Sequence, residues 1–323
     1  MTRWLARRWF LVLLALGLSS AALWPDELRP VAERLPLRLV VGLSLLLASW
    51  SLRGGQLGRA LARPFAVAFG LGISFGVLPL TALALGWLLP LPDLRVGLLV
   101  MLCVPCTLSS AVIWTRQAGG DDALALLVVI ATNLLGWLLT PLWLGAAGPV
   151  AVAIDATTMM RSLALVLVLP VALGQALRLV PGVPALVDRH REANGLVAKL
   201  LVVVVLFAAA VEAASHARSL SVGPAAWTLL VCAGAHGAGL LTAFGGGALA
   251  GLPVGRRVAV AFAGSQKTLP VGLYLFHAYY RDGYPLAVVP MLLYHAAQLL
   301  LDTWVADRLR AGTKTAHLPP PTP

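Results

Sequence analysis

The sequence predicts an all-α membrane protein of ten transmembrane helices, and three observations carry that prediction. Hydrophobic residues make up 59% of the 323 and charged residues only 11%, where a soluble domain carries roughly a quarter charged. Ten apolar runs are long enough to cross a bilayer core. They fall at 9–24, 37–52, 64–90, 94–115, 123–146, 162–179, 194–213, 224–250, 257–279 and 285–306. Finally, the basic residues alternate between the two sides of those runs.

The charge pattern sets the topology. With the N-terminus inside, the inside loops and ends hold 16 of the 24 Lys and Arg, the outside segments hold 7, and Lys267 is the last. That excess follows the positive-inside rule with both termini cytoplasmic. The net charge of +11 is therefore topology and contact with anionic lipid, not a nucleic-acid footprint. Trp4, Trp9, Trp24, Trp50 and Trp304 cluster near span ends, as an aromatic belt does. Compactness and Ala/Leu/Arg richness point to a bacterial inner membrane.

Taken in order, the first span has a basic start, an apolar run and small residues, like a secretory signal. A multispan protein needs no cleavage there, so it reads as the first helix. The fourth span is interrupted at Pro105, about 11 residues or roughly 16 Å from its outer end. Thr107, Ser109 and Ser110 follow the break. They either bond back to their own helix or line a site where the N-terminus of a new half-helix favours an anion. In the fifth span, Thr132 and Asn133 would line the same cavity. The longest inside connection, Arg178 to Leu196, falls near the middle and joins two halves.

The ninth span holds the most informative residue. Lys267 lies between Arg257 and Arg281, roughly 15 Å from Arg257, about half the bilayer core and too deep to snorkel. An ionisable group at that depth marks a substrate or ion pathway. Gly264-Ser265-Gln266 before it and Thr268-Leu269-Pro270 after it would break the helix, with Gly264 and Pro270 as the breakers and Thr268 as the N-cap of a second half-helix. Counting five spans per half, the fourth and ninth are the fourth members of their halves. Paired interruptions of this kind point to a transporter site, although Pro and Gly also merely kink membrane helices.

Three polar residues remain as secondary candidates. His236 in the eighth span reads as a packing histidine bonded to a carbonyl, or as a proton relay. His295 and Gln298 in the tenth form an i, i+3 pair that reads as interhelical glue before function. Cys103 and Cys106 have C-x-x-C spacing but no partner set, and read as small apolar filler. The sequence offers no nucleophile triad, metal-ligand set, cofactor motif or phosphate loop, so no enzyme is expected.

On these residues the chain resembles the bile acid:sodium symporter family, its SBF-like branch in particular. The resemblance is carried by PCTLSSAVIWTRQAGGDDALAL from Pro105, TNLLGWLLTP from Thr132, FAGSQKTLPVGL from Phe262 and YHAAQL from Tyr294. It implies ten helices in two inverted five-helix repeats, about 1–150 and 151–314, forming one domain over 1–314 with panel and core parts. The fourth and ninth helices would be broken and crossing. By its Pro-rich composition, 315–323 reads as a disordered tail. The resemblance also implies a secondary transporter, and the anion-favouring charge at the two breaks points to an organic anion as its load.

The sodium-coupled members carry Glu-x-Gly-x-Gln-Asn where this chain reads Phe262-Ala-Gly264-Ser-Gln266-Lys267, and Ser-Asn where it reads Ser110-Ala111. Two sodium ligands are thus replaced. Lys267 is expected to stand in for a bound sodium ion, with transport sodium-independent or proton-coupled. The alternative is a non-transporting regulator of ion homeostasis or cell-surface assembly.

Overall fold

The computed structural model describes residues 19–50, 64–108, 110–147, 155–217 and 220–315, with Leu13, Leu16 and Gly17. Residues 9–12, 14, 15 and 18 of the first predicted span, Ser109 and the tail from 316 lie outside the described residues. Every regular element described is helical. These are α1 (Pro25–Glu33), α2 (Leu37–Trp50), α3 (Pro64–Gly86), α4 (Pro92–Cys103), α5 (Ser110–Gln117) and α6 (Asp122–Ala147), then α7 (Ala156–Leu177), α8 (Val183–Arg189) and α9 (Arg191–Ala217). The chain continues with α10 (Val222–Leu249), α11 (Val254–Ser265), α12 (Leu269–Leu275) and α13 (Val288–Thr315).

Six helices are long and apolar enough to cross a membrane: α3, α6, α7, α9 (over Glu192–Ala214), α10 and α13 (from Pro285 to Arg310). The fourth and ninth predicted spans are each two helices, α4 with α5 and α11 with α12. The outside of the molecule is apolar, with Leu39, Leu241 and Leu300 all strongly exposed, while Lys267, Gln298 and Asp302 are fully buried. This inverted distribution suits hydrocarbon as solvent, where buried polar groups must find partners inside.

The helices pack in two groups. In one, α9 lies against α2 and α1, and α2 against α7; in the other, α3, α4, α5, α6, α10, α11 and α13 surround a common core. The groups meet where α7 touches α6, and where α9 touches α12 and α13. Helix starts follow local chemistry. Asp155 caps α7 by accepting from the Thr157 and Thr158 amides, and the Thr158 hydroxyl together with these amides holds its carboxyl below the usual carboxylate range. On one side of the second group, Gly119, with φ +74°, ends α5, and the Asp121 amide donates to Gly255 O at 2.9 Å. The loop before α6 is thereby tied to the first turn of α11.

The turn inside α3 follows from one proline. Leu78 N–H reaches back five residues to Ile73 O, forming a π turn over Ile73–Val77. Pro79 has no N–H to offer. Ser74 O is therefore left without a backbone donor. A second π turn, Ala164–Val168 in α7, also stands just before a Leu-Pro pair. Such turns recur at functional sites because they free backbone carbonyls.

Candidate functional site

The two interruptions meet. After Cys103 the chain runs extended through Val104, and α5 begins only at Ser110. After Ser265 it runs extended through Gln266 to Thr268, and α12 begins at Leu269. The Thr268 amide donates to Pro105 O at 2.9 Å, so the two breaks share a hydrogen bond. Pro105 sits in its break as expected. Gly264 does not break the helix: it lies inside α11, where an added Cβ would come within 3.0 Å of Ile73 Cβ. Its role is close approach to α3, and the break starts two residues later. Pro270 lies in the first turn of α12 behind Thr268, which occupies the N-cap position without a side-chain cap bond.

Lys267 crosses from its break into a cage of oxygens. Its Nζ donates to Ser74 O at 2.7 Å, Val104 O at 2.8 Å and Ser74 Oγ at 3.0 Å, and it stands 5.1 Å from the Phe75 ring centroid. All three ammonium hydrogens have acceptors. One acceptor is the carbonyl that Pro79 and the π turn free, and another is the carbonyl at the broken end of α4. Two carbonyls, a hydroxyl and a ring face are the surroundings of a bound cation. Gln298 clamps the lysine's own backbone, accepting from its amide at 3.0 Å and donating to its carbonyl at 3.1 Å. The Gln298 amide also meets His295 Nδ1 at 3.0 Å, so the predicted pair forms and is anchored on Lys267.

Gln266 faces the other way. Its Oε1 accepts from Thr107 and Ser110 hydroxyls, each at 2.7 Å, and its Nε2 donates to Asp302 Oδ2 at 2.6 Å. Asp302 Oδ1 lies 2.8 Å from His236 Nε2, and His236 Nδ1 lies 3.2 Å from the Tyr294 hydroxyl, which donates to Ser265 O. His236 thus bonds a carboxylate and a phenol, not the backbone carbonyl of the packing reading. Thr132 accepts from the Cys106 amide at 3.4 Å. Asn133 donates to Cys106 O at 3.0 Å and Val129 O at 2.9 Å, and its buried Oδ1 has no partner. Ser265 bonds back to Ala261 O at 2.6 Å. Cys103 and Cys106 are free and buried.

The structure therefore brings Thr107, Ser110, Gln266, Lys267, Thr268, His236, His295 and Gln298 together, with Thr107, Ser110 and His295 half-buried and the rest buried, and with Thr132 and Asn133 supporting the Pro105 break. Sequence reasoning missed Ser74 and Asp302. Asp302 carried a signal: Tyr294, Gln298 and Asp302 are spaced i, i+4, i+8 and share one face of α13. Ser74 carried a weaker one, a hydroxyl five residues before a proline inside an apolar run. Glu212, buried in α9 and paired with Arg281 at 2.9 Å, was also passed over.

A lipid-facing helical molecule with two interrupted helices meeting at a buried polar network has the design of a membrane transport protein, in which irregular backbone is tolerated because it lines a protected site. The chain belongs to the SBF-like CPA transporter family, which it matches over residues 8–311. It is an integral membrane protein of a family of transporters, not of enzymes.

Among its relatives is the Arabidopsis thaliana protein named "Probable sodium/metabolite cotransporter BASS4, chloroplastic", 33% identical over 69% of this chain and 54% of the relative. The protein of the same name from Oryza sativa subsp. indica is 30% identical over 81% of this chain and 66% of the relative. Sodium/bile acid cotransporter 7 of Danio rerio is 24% identical over 95% of this chain and 97% of its own length. The chain spans about half to two thirds of the length of the plant relatives.

Proposed function

We propose that this chain is a secondary transporter that moves a small organic anion by alternating access and does so without sodium. The observation that carries the reading is the Lys267 cage. Its ammonium takes Ser74 O, Ser74 Oγ and Val104 O, oxygens of the kind a sodium ion would need, in a frame where the acidic residue of the sodium-coupled pattern is Phe262. A covalently held cation supplies the charge that ties the two breaks to α3 and never leaves. The relatives' printed names include sodium, and that coupling is not carried over here.

An anion is favoured because the buried Lys267 puts positive charge at the meeting of the breaks, beside the N-terminus of α5. Thr107, Ser110 and Gln266 are the groups proposed to meet it, with Ser109, Ser265, Thr268, Thr132 and Asn133 around them. The proposed architecture is ten spans in two inverted five-helix repeats. Its panel is α1, α2, α7 and α9, and the remaining long helices form its core. The two packing groups and the matching positions of the two breaks support this. Both termini are proposed to face the cytoplasm of a bacterial inner membrane, on the basic asymmetry of the loops.

The test is uptake of labelled organic anions, taurocholate included, into proteoliposomes with sodium, with a pH gradient and with neither. Uptake indifferent to sodium and abolished by Lys267→Ala is expected. Sodium-driven uptake by the unaltered protein would overturn the reading.

A further inference from the structure

Half of the buried network plays no part in holding Lys267. We propose that His236 and Asp302 form a binding site for one proton, and that this site makes the protein a one-to-one proton–monoanion symporter with an electroneutral cycle. The inference rests on the transport reading above and deepens it by naming the coupling ion and where it binds.

The hydrogens in the network can be counted. Tyr294 has one hydroxyl hydrogen, and it goes to Ser265 O at 3.0 Å. Toward His236 the phenol oxygen can then only accept, so Nδ1 carries a hydrogen. Asp302 Oδ2 is occupied by the Gln266 amide, and Gln266 is held in that orientation because its Oε1 faces two hydroxyls. One contact remains, His236 Nε2 to Asp302 Oδ1 at 2.8 Å. It holds one proton, as imidazolium with carboxylate or as imidazole with carboxylic acid. Either way the pair is neutral when that proton is present and carries −1 when it is gone.

The proposed cycle keeps Lys267 as a fixed +1. Its three N–H groups all have acceptors, two of them carbonyls that cannot donate in return. A neutral amine would keep all three contacts only by turning the Ser74 hydroxyl from acceptor into donor. The other titratable groups facing the pair are Cys106 from the first break and Tyr294 from α13, with Cys232 of α10 beside Tyr294. Beside Lys267, the fully buried charge-bearing residues among those described are this His and this Asp alone.

The charge arithmetic then selects the cycle. With no anion and no proton bound, Lys267 and the pair cancel. With one proton and one monoanion bound, lysine, neutral pair and anion cancel again. A proton alone leaves +1, and an anion alone leaves −1. Buried net charge is costly in low dielectric, so the two neutral states are the ones that move between the sides. Gln266 links the two loads directly. It donates to the proton-binding carboxylate on one side and accepts from Thr107 and Ser110 on the other, so loss of the proton is felt where the anion is proposed to sit.

The experiment has a substrate-free arm and a flux arm, both on the full chain in liposomes. Infrared difference spectra across a pH titration are expected to show a buried carboxyl or imidazole signal that titrates in the unaltered protein. The signal should vanish in Asp302→Asn and persist, shifted, in Asp302→Glu, with monodispersity in detergent as the folding control. The flux arm follows labelled taurocholate together with an internal pH dye. One proton should enter per anion, with no dependence on membrane potential. In Asp302→Asn proton entry should cease and the residual anion flux should become potential-dependent, because the empty core then always carries +1. A titration identical in Asp302→Asn and the unaltered protein would overturn the proposal, as would anion flux with no accompanying proton. Absence of taurocholate flux in the unaltered protein would count against the transport reading for that probe, while the titration arm still decides the proton site.

Discussion

At the scale of single residues, the central fact is that Lys267 satisfies two orphaned carbonyls on two other helices. Lys267→Met removes the donor that they share, and each buried acceptor left unmet costs about 1–3 kcal/mol. We expect a clearly lower melting temperature in detergent as well as loss of flux. An unchanged melting temperature would show that the cage is not what holds the breaks in place. Gln298→Leu frees the lysine's backbone amide and carbonyl while leaving the ammonium in its cage. Its melting loss should be smaller than that of Lys267→Met. The depth and isolation of Lys267 were legible in the sequence because they depend only on spacing along one helix. Its partners were not, since Ser74 and Val104 lie more than 160 positions away and contribute mainly backbone oxygens, which no residue type announces. Asp302 was legible in principle from its i, i+4, i+8 spacing with Tyr294 and Gln298, and it was obscured by the charged end of the helix that follows it.

Among the elements, the geometry rests on two close fits. Pro79 frees Ser74 O by withholding an N–H. Pro79→Ala restores that donor and should let α3 close into a regular helix. It is expected to hold or raise thermal stability while weakening transport, the opposite pairing of effects to a packing defect. The helix α4 lies so close to the segment before α13 that a Cβ on Gly97 would fall 2.0 Å from Ala287 O, whereas Gly145 has nothing within 4 Å. Gly97→Ala should therefore lower the melting temperature markedly and Gly145→Ala should not; overpacking of this kind costs typically about 1–3 kcal/mol, occasionally more. The interruptions themselves were legible from Pro105 and from the run around Lys267. Their limits were not, because Gly264 looks like a breaker in sequence while its real function, contact with Ile73, depends on a helix elsewhere in the chain.

For the molecule as a whole, a cavity of about 220 Å³ opens between the two packing groups, lined in part by Glu33, Arg38, Glu212, Tyr274, His277 and Arg281. Arg281 bridges Glu33 at 3.0 Å and Glu212 at 2.9 Å, so it ties α1, α9 and the end of the ninth span together. Hydrogen bonds from Arg29 and Arg281 hold the Glu33 carboxyl below its usual range. A lowered folded-state pKa means the tie is present above the ordinary carboxylate range and is lost as pH falls through that lowered value. Relative to a free thiol at the same pH, labelling of Ala278→Cys, beside Arg281 in the cavity wall, should therefore speed up on acidification, and Glu33→Gln should remove that relative pH dependence. The three native cysteines are free and buried, which leaves the background low.

Melting curves in sodium against choline chloride test, without a substrate, whether the Lys267 ammonium occupies the place of a metal cation. The unaltered protein should melt at the same temperature in both salts, and Lys267→Asn, with the oxygens of Ser74 and Val104 vacated, should gain stability in sodium alone. Sodium-specific stabilisation of the unaltered protein, with none gained by Lys267→Asn, would contradict it.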